Sequence, residues 1–178
     1  MVQKAPYDIF AAGTKLVTAY DTPALGGVFK TKQYQGRPRI KIAEGKTTIP
    51  MATDVIRIIK NGKYEGDIIC RADDDTLIKN GELNKKVTSW TLNSLNGTKL
   101  TFNKGEEAYR LLHTIMKDGK FVTEPEADLL KLQRRAANLA KLDASYKRLA
   151  NPHIYGVGLE QSLHNLRLEL VKQHEGRK

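Results

Sequence analysis

Gly13-Thr14 is the pair whose types and spacing could do chemistry. It follows the short run Tyr7-Asp8-Ile9-Phe10-Ala11-Ala12, the pattern of a buried strand that ends in small residues before a turn. Consecutive backbone N–H groups at such a turn, with a hydroxyl beside them, bind a phosphate without help from an acid or a base. A plain turn uses the same residues, so the pair alone specifies no activity. Other reactive side chains are less suggestive. His113, His153, His164 and His174 have no spacing that makes a metal site or a triad, and read as structural or surface residues. Cys70 ends an apolar strand and reads as a buried, inert thiol, and Trp90 as a core residue. Asp73-Asp74-Asp75 lacks the glycine and distal glutamate of a calcium loop and reads as a solvated turn. No residue stands out as a general acid or nucleophile, so neither a catalytic residue nor a metal ligand is expected.

These groups need a scaffold, and the chain can build one. Of 178 residues, 40% are hydrophobic, enough for one ordinary domain. The formal charge is +10, which attracts polyanions. However, the cations are scattered from Lys4 to Lys178, only 7% of residues are aromatic, and no zinc-finger or RNA-recognition pattern occurs, so a nucleic-acid partner is not expected. No apolar stretch approaches the ~20 residues of a membrane span, and no apolar segment follows Lys4 as in a secretory signal. A single cysteine permits no intrachain disulfide, which suits a cytoplasmic protein.

The order of elements reads as a β-rich front and a helical back, changing near residue 103. Strands are expected at 28–33, at Arg39-Ile40-Lys41-Ile42 and at Val55-Ile56-Arg57-Ile58-Ile59. Asn61-Gly62 turns the last of these into Asp67-Ile68-Ile69-Cys70, through a loop that could exceed two residues. Asn80-Gly81 and Asn96-Gly97 repeat the turn signal, the second between Trp90-Thr91-Leu92 and Lys99-Leu100-Thr101-Phe102. Asn103 and Glu106 have the spacing of a helix cap, and Ala108, Leu111, Leu112 and Ile115 predict a helix as far as Gly119. A second helix is predicted from Thr123 to about Leu149, with a break near Asp143. A third would carry Leu159, Leu163, Leu166 and Leu170 on one stripe. The divisions implied are 1–44, 45–103 and 104–178.

The stretch from Tyr7 to Lys30, YDIFAAGTKLVTAYDTPALGGVFK, closely resembles the nicotinate phosphoribosyltransferase family, and Arg37-Pro38-Arg39-Ile40-Lys41-Ile42-Ala43-Glu44 continues the likeness. Tyr146-Lys147-Arg148-Leu149-Ala150-Asn151-Pro152-His153-Ile154-Tyr155 and the following segment to Val171 resemble that family's C-terminal sequence. The likeness is close over 5–44 and 126–172 and loose over 46–105. It implies an α+β fold: the last part of a type II phosphoribosyltransferase irregular barrel, a β-rich middle and a C-terminal helical segment. Asp8-Ile9-Phe10 would be a late barrel strand, with Gly13, Thr14 and the backbone of Ala12 holding the 5-phosphate of phosphoribosyl pyrophosphate or of the mononucleotide product. The family's usual Phe-Gly-Val-Gly-Thr is altered here, because Ala11 stands at its first glycine. If that position requires positive φ, Ala11 is strained.

Further expectations follow from the same resemblance. The activity would be formation of nicotinate mononucleotide from nicotinate and phosphoribosyl pyrophosphate, with coupled ATP hydrolysis, in NAD biosynthesis. ATP and Mg2+ would serve the complete enzyme, with neither bound by this chain alone. The catalytic histidine and most barrel strands lie upstream of the matched sequence, so the chain is expected to need a separate N-terminal chain or a homo-oligomer, and to be inactive by itself. The alternative is a non-catalytic remnant acting as a basic interaction module.

Overall fold

The structure is a computed structural model that describes residues 9, 11–21, 23, 28–43, 47–92 and 98–176. Its centre is built from two β-branched runs. Strands β3 (Thr53–Lys60) and β4 (Lys63–Arg71) pair antiparallel along their whole length. Asn61 and Gly62 lie between them with φ of 52° and 71°, so the loop is two residues long, with the left-handed pair that suits the strand twist. A register shift between Ile58 and Ile59 bulges the hairpin and lets both neighbouring isoleucines be buried.

Two short ribbons stand apart from this pair. The first is β1 (Gln33–Tyr34) with β2 (Arg37–Pro38), and the second is β10 (Met116–Lys117) with β11 (Lys120–Phe121). The remaining strands are β5 (Ile78–Lys79), β6 (Glu82–Leu83), β7 (Val87–Thr91), β8 (Lys99–Phe102), β9 (Glu107–Arg110) and β12 (Val157–Glu160). They complete an eight-stranded sheet of order β5-β6-β9-β3-β4-β12-β7-β8. Every pairing in it is antiparallel except β12 with β4, so the sheet is mixed. It curls around Ile56, Ile58, Ile68, Cys70, Leu77, Leu83, Val87, Phe102 and Ala108, all buried in one cluster. Two glycines permit close approach within the sheet. A Cβ at Gly66 would lie 2.9 Å from the Phe102 ring, and one at Gly158 only 3.0 Å from the Trp90 carbonyl oxygen.

The helices differ in how closely they approach the sheet. Helix α3 (Gln161–Glu175) follows β12 directly, capped by the Glu160 carboxylate, which accepts from the Ser162 and Leu163 N–H groups at 2.7 and 3.3 Å. It packs on β7 and β12. The His164 ring stacks on Trp90 at 4.6 Å, and Trp90 donates to Gln161 at 2.8 Å. Helix α2 (Asp128–Lys141) buries none of its residues and is followed by a 3-10 turn, Ala144–Lys147. Helix α1 (Thr14–Val17) is a single exposed turn.

Several expectations are corrected. Residues 103–119 form no helix: the Asn103 N–H does bond the Glu106 carboxylate at 3.2 Å, but the turn leads into β9. Ala108 and Arg110 sit opposite Ile58 and Ile56, so the tertiary reward for pairing overrides the helical spacing. Strands therefore continue well past residue 103. At the front, Arg39-Ile40-Lys41-Ile42 is not a strand and only Gln33 of 28–33 is in one. Gln35-Gly36, with φ of 47° and 72°, makes a tight hairpin there instead. The helical break at Asp143 is present, although α2 starts only at Asp128. In the last segment Leu159 belongs to β12; of the expected stripe Leu159 and Leu163 are buried, while Leu166 and Leu170 are half-buried and the buried face of α3 is completed by His164, Arg167 and Val171. The Asn96-Gly97 turn and the Asp8 and Phe10 positions of the expected barrel strand lie outside the described residues.

Candidate functional site

Gly13 is the N-cap of α1 with φ of −80°, and its carbonyl accepts from the Leu16 and Val17 N–H groups, each at 3.1 Å. The first-turn N–H groups of such a segment have no partner within the helix. Ala11, Ala12, Gly13 and Thr14 are all exposed. A Cβ at Gly13 would meet nothing within 4 Å, and Ala12 has no positive φ. Alanine is therefore unstrained at position 12. The loop stands open, with Lys15 beside it and its ammonium 5.2 Å from the Tyr20 ring.

The three aspartates form no cation site. Asp73 pairs with Arg71 at 2.7 Å, Asp74 accepts from Thr76 at 2.6 Å, and Asp75 faces Arg110 at 3.5 Å. No group of three or more candidate metal ligands occurs among the described residues. The carboxylates here do not fit a magnesium ion. No described helix is long and apolar enough to cross a membrane.

Cys70 is fully buried, and burial pushes its thiol up to about 11, against a partial pull from Arg110. The expected burial is observed, and a thiol reagent should leave Cys70 unmodified in the native chain and label it fully in urea, as measured by mass spectrometry. Native labelling at the rate of a free thiol would contradict its burial.

A polar cluster that sequence reading missed lies on the outer sheet face. Arg57 of β3 and Asp67 of β4 are directly opposite in the register. The guanidinium donates to both carboxylate oxygens at 2.9 and 2.8 Å, and the Tyr155 hydroxyl donates to the same carboxylate at 3.0 Å. The Arg57 guanidinium also lies 4.5 Å from the Tyr64 ring centroid. The bond to Asp67 raises the Arg57 pKa above its ordinary value, while burial chiefly, with the Asp67 charge, raises that of Tyr155. Asp67 fixes the incoming chain through its backbone too, its N–H donating to the Gly156 carbonyl at 2.9 Å. Alternating residues on β3 and β4 were the available signal, but Tyr155 is 88 positions away from Asp67.

These features place the chain among α+β domains built on a curled mixed sheet, and comparison with known proteins supplies the family. The model for the nicotinate phosphoribosyltransferase C-terminal domain matches residues 53–167, including the middle where the resemblance was loose. The chain belongs to the nicotinate phosphoribosyltransferase family. It is 30% identical to the nicotinate phosphoribosyltransferase of Dictyostelium discoideum, the match covering 92% of this chain and 29% of that protein. With the Bacillus subtilis enzyme the identity is 29%, over 98% of this chain and 36% of that one. The chain thus spans about a third of the length of these relatives. The fold is shared with human nicotinic acid phosphoribosyltransferase, with a TM-score of 0.61 and 23% identity over 83% of this chain and 27% of that one.

Proposed function

We propose that this chain supplies the C-terminal part of a nicotinate phosphoribosyltransferase, which joins nicotinate to phosphoribosyl pyrophosphate, coupled to ATP hydrolysis, in NAD biosynthesis. The observation that carries the reading is the match of the family's C-terminal domain over 53–167. The chain's own contribution is phosphate positioning. Glycosyl transfer at ribose passes through an oxocarbenium-like state, so backbone and hydroxyl donors that fix the 5-phosphate work by orienting the sugar, with no proton to transfer. Gly13, Thr14 and the Ala12 N–H are assigned that role on the family motif, and the open loop leaves them accessible.

Exposed apolar surface supports the need for a larger body. On α2, Leu129, Leu130 and Leu132 are 65%, 52% and 60% exposed. Met116 and Phe121, on the β10–β11 ribbon, are exposed as well. A helix whose leucines face water gains little from folding there, and relatives about three times as long offer the sequence to cover it.

Thermal unfolding of the purified chain with phosphoribosyl pyrophosphate or nicotinate mononucleotide tests the phosphate role. A ligand-dependent rise in midpoint is expected, reaching about 2.7 kcal/mol of stabilisation at a hundred times Kd. Thr14→Val should reduce that rise while leaving the ligand-free midpoint unchanged. An unchanged midpoint with both ligands would overturn the assignment of the loop.

A further inference from the structure

We infer that the cleft between α2 and the outer sheet face binds a nucleoside phosphate, independently of the Gly13-Thr14 loop and of the transferase reading. The cleft encloses about 570 Å³, within the range of small-molecule sites. Its apolar lining comes from Leu139, Leu142 and the Tyr64, Tyr146 and Tyr155 rings. Tyr146 and Tyr155 meet edge to face at 5.5 Å, leaving aromatic surface of the kind on which a base stacks.

The charge in the cleft has one sign. Three arginines and His153 line it, and no carboxylate does. Two of the arginines are already engaged, Arg57 by Asp67 and Arg134 by Glu126. Within the described residues, Arg135 makes no ion pair or side-chain hydrogen bond, and the His153 ring has only an edge contact with Tyr146 at 6.3 Å. Arg135 therefore offers a free fork of donors suited to phosphate, and His153 a further ring donor. Asp67, the carboxylate beneath Arg57, is saturated by Arg57 and Tyr155 and adds no free negative charge to repel the ligand. The groove is also braced. The Tyr64 hydroxyl donates to Asn138 at 2.8 Å, and the Lys63 ammonium donates to the Ala140 carbonyl at 2.7 Å, so both ties hold α2 over the sheet. A planar base laid on the Tyr146 and Tyr155 aromatic surface, with its phosphate on Arg135 and His153, uses both halves of the cleft.

Isothermal titration of the 178-residue chain with adenosine 5′-monophosphate, adenosine and inorganic phosphate, at fixed ionic strength, tests the inference. The monophosphate should bind more tightly than either component. Arg135→Gln should weaken it about tenfold, the loss of one charge-assisted fork, and His153→Gln should weaken it in the same direction. Lys104→Gln, which removes the same charge outside the cleft, should leave it unchanged. Tyr146→Ala should bring the monophosphate down to the affinity of inorganic phosphate. The thermal midpoint of each variant confirms that it folds. No binding, equal binding of monophosphate and inorganic phosphate, or equal losses in Arg135→Gln and Lys104→Gln would each overturn the inference.

Discussion

Asp67→Ala is expected to destabilise the domain by about 3–4 kcal/mol, at the lower end of the cost of removing one partner from a buried ion pair. The carboxylate is 9% exposed and accepts three hydrogen bonds, two from Arg57 and one from Tyr155. Its removal strands a guanidinium whose own side chain is only 21% exposed, together with a half-buried phenol. That penalty arises from the unpaired groups and is not the net worth of the pair. Replacing both charges, Arg57→Met with Asp67→Leu, should therefore recover most of the loss. Urea unfolding of the three variants measures it. A double variant as unstable as Asp67→Ala would show instead that the ion pair holds the sheet face in place by its own net attraction.

The second large effect is expected at Gly158, where β12 is inserted between β4 and β7. An added Cβ would lie 2.6 Å from the Ser89 hydroxyl oxygen and 3.0 Å from the Trp90 carbonyl oxygen. The hydroxyl can rotate away, since it is buried without a hydrogen-bond partner among the described residues. The carbonyl cannot move without displacing β7, which pairs with β12 through Gly158, Leu159 and Glu160. Gly158→Ala should thus cost about 2–3 kcal/mol by overpacking. Ser89→Ala should be close to neutral, because it deletes a polar atom that gains nothing in the fold. A Gly158→Ala variant as stable as the parent in the same urea titration would mean that the sheet yields at β12.

Local chemistry made part of this architecture legible. Asn61-Gly62 and Asn80-Gly81 lie at left-handed φ in two-residue turns, and β-branched runs beside the first became β3 and β4, because turn residues and alternation act over a few positions. The segment after Asn103 was misread for the same reason. Its cap-like turn is present, but whether Ala108 continues a helix or faces Ile58 is decided by a strand some fifty residues away. Likewise the parallel insertion of β12 beside β4 leaves no mark in either segment. For the site, Gly13-Thr14 could be singled out because phosphate binding by backbone needs only a local pattern. The Arg57, Asp67 and Tyr155 cluster could not, because it is assembled by the sheet register and by the return of the chain after α2.

The apolar face of α2 makes the central claim testable in one assay. The chain is mixed with a second polypeptide carrying the remaining N-terminal two-thirds of a relative such as the Bacillus subtilis enzyme, and nicotinate mononucleotide is measured after addition of nicotinate, phosphoribosyl pyrophosphate and ATP. The account predicts product only when both chains are present. It also predicts loss of product with the double variant Leu129→Gln and Leu132→Gln, whose own unfolding midpoint stays near that of the parent because neither leucine is buried. A stable two-chain complex that makes no product, or no complex at all, would contradict the claim that this chain completes a nicotinate phosphoribosyltransferase.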